Sequence, residues 1–156
     1  MTEYFMMFSA PINGQIANAF MTQLANLVAQ NATKLIIAMN SPGGDVALGM
    51  AMYNTMLAMP FSISTHNVGN VDSIANIVFL GGSERFACPQ ATFMFHGIGF
   101  QGNANERLEE KALQEKLDIV LTGHKRLSSI IASRTNKLSI LQGMRLFKEQ
   151  RTRDAA

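Results

Sequence analysis

Short apolar segments alternate along the chain with longer segments in which apolar residues recur every three or four positions. A short apolar run bounded by Gly, Pro, Asn or Ser is typical of a buried strand. This pattern predicts four strands in the first hundred residues, at positions 4–9, 34–39, 61–67 and 92–95.

Helices are predicted between these strands. Asn13 can cap a helix, since its side-chain oxygen can accept an N–H from the first turn, and apolar positions at helical spacing follow it. Asp45 precedes an Ala-, Met- and Leu-rich helix, which must end before Pro60 because proline disfavours helical geometry in the residue before it. Residues 73–80 have a helical composition and are followed by two glycines.

Strands that alternate with helices across short connections indicate an α/β fold with right-handed crossovers and a mostly parallel sheet. In such sheets, functional residues gather in the loops at the carboxyl ends of the strands. Three segments meet this condition: residues 41–45, 68–73 and 96–102.

A different pattern follows Gly102. Residues 104–134 read as one long helix with an apolar stripe, about 46 Å long if unbroken. A compact chain of this length has a radius of gyration of about 15 Å, so the helix would extend beyond the body and its stripe would need a partner. A kink at Gly123 is the alternative. We therefore expect a single domain over residues 1–156, with a head (1–100), this long helix and a C-terminal part (138–156).

Composition favours self-association and argues against nucleic acid. Apolar residues make up 47% of the chain and charged residues 15%, with eleven Met, which suits adaptable contact surfaces. The net charge is only +2, and no Lys/Arg block exceeds two residues. The single cysteine, Cys88, fits a reducing compartment. With neither a signal peptide nor an apolar stretch long enough to span a bilayer, a cytoplasmic location is expected.

Two of the three predicted loops carry groups suited to acyl transfer. Ser41-Pro42-Gly43-Gly44 can point backbone N–H groups into a cleft, for an oxyanion or a phosphate, although a plain turn has the same composition. Ser73 lies between a strand and a helix, where a nucleophile is exposed and the N–H of Ile74 is available as an oxyanion donor. A helix cap is the other interpretation of Ser73.

The third loop supplies a base. His96 directly follows an apolar strand, whereas His66 lies within a strand and His124 within the long helix, where structural or surface roles are expected. A serine hydroxyl needs such a base at neutral pH, and the base contributes about 10²- to 10⁴-fold.

In this order and spacing, the motifs resemble the proteolytic subunit of the ATP-dependent Clp protease. Asn40-Ser41-Pro42-Gly43-Gly44 is similar to its glycine-rich oxyanion loop, and Ser73 follows Gly44 by 29 residues, the family's spacing to its nucleophile. Phe93-Met94-Phe95-His96 resembles the strand that bears the family histidine, and Phe100-Gln101-Gly102 recurs beyond it. The resemblance implies repeated ββα units of the ClpP/crotonase type, with a protruding "handle" helix through which rings stack.

For function, the resemblance implies a serine endopeptidase that needs no cofactor or metal. Ser73 would be the nucleophile, His96 the base, and Gly44 and Ile74 the oxyanion donors. The position of the family acid falls at Lys148, Glu149 or Gln150, where Glu149 is the nearest carboxylate and Asp154 the next. A Ser/His dyad without an acid is the alternative. The resemblance also implies peptide or unfolded-protein substrates, self-association into rings and an ATPase unfoldase partner.

Two other functions fit the same scaffold. A crotonase-like acyl-CoA enzyme would use the paired oxyanion donors on a thioester without a Ser/His pair. A non-enzymatic ring component would keep the fold alone, and the Asn70-Val71-Asp72 run, where the family has small residues, is the feature that favours it.

Overall fold

The computed structural model describes residues 2–100, 107 and 109–155. Strands and helices alternate through the first part of the chain, and two helices precede the last strand. The strands are β1 (Glu3–Ser9), β2 (Lys34–Ser41), β3 (Ser62–Asp72), β4 (Glu84–Ala87), β5 (Thr92–Met94) and β6 (Thr152–Asp154). The helices are α1 (Gly14–Ala29), α2 (Val46–Leu57), α3 (Ala75–Phe79), α4 (Glu110–Thr135) and α5 (Ile140–Glu149).

The strands form one mostly parallel sheet, as predicted. Its order is β1-β2-β3-β5-β6, and β4 also pairs with β3. β3 therefore has two successive neighbours along one edge: residues 64–67 pair with β4, and residues 70–72 pair with β5. Among the strands of the described residues, only β6 runs antiparallel to its neighbour, β5. The carboxyl ends of β2, β3 and β5 consequently meet at one edge of the sheet.

The helices of this α/β layer begin where the sequence predicts. The Asn13 side chain accepts the N–H of Ile16 (3.0 Å), and the Asp45 side chain accepts the N–H of Leu48 (2.9 Å). Each cap satisfies one of the N–H groups that a helix leaves unpaired at its start. On the buried face of α1, Phe20 packs edge-to-face against Phe8 of β1, with ring centroids 5.5 Å apart.

The prediction of a loop at residues 68–73 was wrong, because β3 continues to Asp72. Two side-chain amides support this extension: the N–H of Gly69 donates to Asn67, and the N–H of Asn70 donates to Asn40. Pairing with β5 then completes the strand. The sequence pattern also missed β4 and β6, which are short and largely polar or exposed.

The chain divides into two compact units. The first contains residues 2–95 and 151–155, and the second contains residues 96–150. Within the second, α4 and α5 pack through buried Leu127, Ile131 and Phe147. α4 is continuous from Glu110 to Thr135, about 39 Å, so Gly123 does not interrupt it. Residues 104–106 of the predicted helix lie outside the described residues. The described residues Arg107 and Glu109 are not helical, so the predicted start was too early and the helix begins after its cap, Glu109.

None of the helices within the described ranges is both long enough and apolar enough to cross a membrane.

Candidate active site

The loop between β2 and α2 is held by a buried serine. The Ser41 hydroxyl donates to the carbonyl of Ala10 (2.7 Å) and accepts the N–H of Gly43 (3.2 Å). Gly43 and Gly44 both have positive φ, 83° and 147°, a region that side-chain-bearing residues rarely adopt. The two glycines of this loop were predicted from the sequence, and the role of Ser41 was not.

The residues on either side of Gly44 are both hydrogen-bonded to Ile12. The N–H of Ile12 donates to the Gly43 carbonyl (2.7 Å), and the N–H of Asp45 donates to the Ile12 carbonyl (2.9 Å). A Cβ on Gly44 would collide with the Ile12 backbone. The orientation of the Gly44 peptide is therefore fixed before α2 begins.

Ser73 forms a strained turn between β3 and α3. Its φ is +57°, and it is the one described residue with positive φ that is neither Gly, Asn nor Gln. The left-handed conformation costs roughly 1–2 kcal/mol for a residue with a Cβ. The N–H of Ser73 donates to the Met94 carbonyl (2.8 Å), which ties the turn to the end of β5. A strained serine between a strand and a helix is typical of a nucleophile elbow.

The glycine loop touches this elbow directly. A Cβ built on Gly43 would lie 2.7 Å from the carbonyl oxygen of Asp72, 2.7 Å from Cβ of Ser73 and 3.2 Å from the amide nitrogen of Ile74. Among the described residues, no acceptor takes the N–H of Gly44 or of Ile74. The structure thus brings together the loop, Ser73 and Ile74, and it places Gly43, which the sequence did not single out, against the elbow.

Replacing Gly43 with alanine is expected to destabilise the first unit by about 2–4 kcal/mol, because left-handed strain adds to overpacking against backbone atoms. Thermal unfolding monitored by circular dichroism measures the change. Gly14→Ala is the matched control, since a Cβ there meets nothing within 4 Å. A Gly43→Ala protein as stable as Gly14→Ala would contradict the contact.

The Asp72 carboxylate, which the sequence places next to the nucleophile, is engaged with β5. Its Oδ1 accepts the N–H of Met94 (3.1 Å), the residue directly opposite Asp72 in the ladder. Asp72 therefore helps to join the carboxyl ends of β3 and β5.

His96 is the first residue of the second unit, and its side chain is exposed. Its Nδ1 lies 2.8 Å from the carbonyl oxygen of Gly97. A carbonyl can only accept, so Nδ1 is the protonated nitrogen and Nε2 of the neutral ring keeps its lone pair. This tautomer is the one that a general base acting through Nε2 requires.

The other two histidines have structural contacts. His66 on β3 approaches Cys88, with 3.6 Å between Nε2 and Sγ. In the second unit, His124 accepts the N–H of Ile98 at Nε2 (2.9 Å) and stacks on Phe147, with ring centroids 5.3 Å apart. Burial lowers the pKa of His124, and the positive charge of Lys148 lowers it further.

This lowered pKa predicts how the stability depends on pH. As pH falls from about 6.5, the unfolded chain takes up a proton at His124 before the folded chain does, so the folded state loses stability until pH passes the folded pKa. His124→Gln keeps an acceptor for Ile98 but cannot titrate. The melting-temperature difference between wild type and His124→Gln should therefore shrink between pH 8 and pH 5, and a constant difference would contradict the prediction.

Both predicted acids are exposed. Glu149 is the last residue of α5 in the second unit, and Asp154 lies opposite Thr92 in the β5–β6 ladder. Within the described ranges, no three His, Cys, Asp or Glu side chains are grouped as metal ligands.

Comparison with protein-family models identifies the family of the chain. The family model described as Clp protease matches residues 1–145, nearly the whole chain. The chain belongs to the Clp protease family. The family assignment confirms the resemblance to a ClpP-type proteolytic subunit and places the chain among peptidases. The Clp protease match includes the glycine loop, Ser73 and His96, and it ends before Glu149 and Asp154.

Proposed function

We propose that this protein is a serine endopeptidase that cleaves peptide bonds through an acyl-enzyme on Ser73. The observation that carries the proposal is the left-handed conformation of Ser73 between β3 and α3, in contact with Gly43. Strain of this kind persists when the surrounding structure enforces it, and it is concentrated at functional sites. Membership of a peptidase family supports the reaction class.

In the proposed mechanism, Oγ of Ser73 attacks the scissile carbonyl while Nε2 of His96 takes the hydroxyl proton. The carbonyl oxygen becomes an oxyanion that accepts the N–H groups of Ile74 and Gly44. Such donors each contribute about 10²- to 10³-fold. His96 then gives the proton to the leaving amine as the C–N bond breaks. Water, deprotonated by His96, hydrolyses the acyl-enzyme and restores Ser73.

His96 is assigned as the base on two grounds. Its tautomer leaves Nε2 able to accept a proton. It also follows Met94 by two residues, and the Met94 carbonyl accepts the N–H of Ser73. Gly97 supplies the carbonyl partner of Nδ1. We assign Glu149 as the acid that stabilises the imidazolium, on the family resemblance alone.

The proposed substrates are peptides or unfolded segments inside a ring of copies. Leu113, Leu117 and Leu121 recur every four residues along α4, and each is about half exposed. This stripe suits packing against α4 of a second copy, because residues four positions apart lie on one face of a helix.

A fluorophosphonate probe tests the proposal directly. Native protein is incubated with the probe, digested, and the adduct is located by peptide mass spectrometry. A single adduct on Ser73, absent when the protein is denatured in urea before labelling, is the expected result. A well-folded protein without an adduct on Ser73 would overturn the peptidase assignment in favour of a non-enzymatic ring component.

A further inference from the structure

Asn76 is a buried polar residue in an otherwise apolar helix. It lies in α3, where every residue is buried, and only 3% of its surface is exposed. Both N–H groups of its side-chain amide are used, one on the Ser73 carbonyl (3.0 Å) and one on the Met94 carbonyl (2.8 Å). The side chain therefore contacts both segments that meet at the proposed nucleophile.

These two bonds complete a closed network around the elbow. The Met94 carbonyl also accepts the N–H of Ser73 (2.8 Å), and the Ser73 carbonyl also accepts the backbone N–H of Asn76 (3.1 Å). Four hydrogen bonds thus link three residues. A network whose members share partners fixes geometry more tightly than separate bonds do.

The surroundings of the Asn76 side chain fix the orientation of its amide. Oδ1 of Asn76 is buried, and it has no hydrogen-bond partner among the described residues. A buried acceptor left unpaired costs roughly 1–3 kcal/mol. Turning the amide over would not help, because both facing groups are carbonyls and need donors. An apolar side chain would avoid this penalty but could not hold the two carbonyls.

We propose that Asn76 is a positioning residue that aims the oxyanion donor of the elbow. The Ser73 carbonyl and the Ile74 N–H belong to one planar peptide unit and point in opposite directions. By holding the Ser73 carbonyl on one side, Asn76 sets the direction of the Ile74 N–H on the other. It also keeps Ser73 in its left-handed conformation and secures the end of β5, two residues before His96.

This inference rests on the proposed peptidase function, and the experiment separates the two. Asn76→Ala removes both donors, and Asn76→Asp keeps the shape without any N–H. Ser128→Ala is the matched control, because the Ser128 hydroxyl is the other buried side-chain atom without a partner in the described residues. Circular dichroism first establishes that each variant is folded at the assay temperature.

Both Asn76 variants are expected to lower kcat for a peptide substrate by about 10- to 100-fold, with KM changed less than twofold, since the oxyanion donor acts mainly in the transition state. The fluorophosphonate rate at Ser73 should fall in parallel. Ser128→Ala should match wild type in both measurements. Folded Asn76 variants with wild-type kcat and labelling would overturn the inference and leave the peptidase proposal standing.

If wild type itself fails to label, the peptidase proposal fails and hydrogen exchange then decides on Asn76. The Ser73 amide should exchange at least about tenfold faster in Asn76→Ala than in wild type, while β1 and β2 amides exchange unchanged. An unchanged Ser73 exchange rate would overturn the positioning role as well.

Discussion

Ser73→Ala is expected to abolish peptide hydrolysis, with a fall of at least about 10⁴-fold, because it removes the proposed nucleophile. The rate of cleavage of a fluorogenic peptide measures the loss. Ser62→Ala is the matched control: Ser62 begins the strand that ends beside Ser73, about 33 Å away along β3. Ser62→Ala should retain wild-type activity.

The same position allows a separate measurement of strain. Ser73→Gly removes the nucleophile but has no Cβ to oppose a φ of +57°. It should therefore be more stable than Ser73→Ala by about 1 kcal/mol, although both variants are expected to be inactive. Hydrolysis retained by either variant would exclude Ser73 as the nucleophile, and equal stabilities would show that the turn relaxes when the hydroxyl is removed.

His96→Gln is expected to lower kcat by about 10²- to 10⁴-fold, because the Ser73 hydroxyl then lacks a base. Fluorophosphonate labelling of Ser73 should slow by a similar factor. His66→Gln is the control, since His66 lies within β3 against Cys88 and has no role in the proposed mechanism.

Comparing the two histidine variants distinguishes catalysis from folding. Both should give wild-type circular dichroism spectra, and only His96→Gln should lose activity. Wild-type activity in His96→Gln would mean that another group accepts the Ser73 proton. Equal losses in both variants would mean that the effect comes from a general change in the sheet.

Much of the fold could be predicted from local signals. Asn13 and Asp45 cap α1 and α2 as expected, because capping depends on residues close together in the chain. The extension of β3 to Asp72 could not be predicted in this way. It depends on Asn40, a residue of the neighbouring strand, and on pairing with β5.

The candidate site, like the fold, could be predicted only where the signal lies in neighbouring residues of the chain. A serine before a helix and a histidine after a strand are visible in sequence, so Ser73 and His96 could be proposed. The contact of Gly43 with the elbow depends on how two loops meet at the sheet edge, which no local pattern encodes. Asn76 did leave a signal, a lone amide among apolar residues of a short helix. A polar residue in such a place is buried and needs partners.

The antiparallel pairing of β5 with β6 has a topological consequence. Met94 and Thr152 are directly opposite each other in this ladder, so the chain leaves the sheet after β5 and returns to the neighbouring position at β6. The second unit, residues 96–150, is therefore inserted between the two strands of the β5–β6 hairpin. The β5–β6 ladder that closes the hairpin belongs to the first unit, so the first unit is built from two separate stretches of the chain.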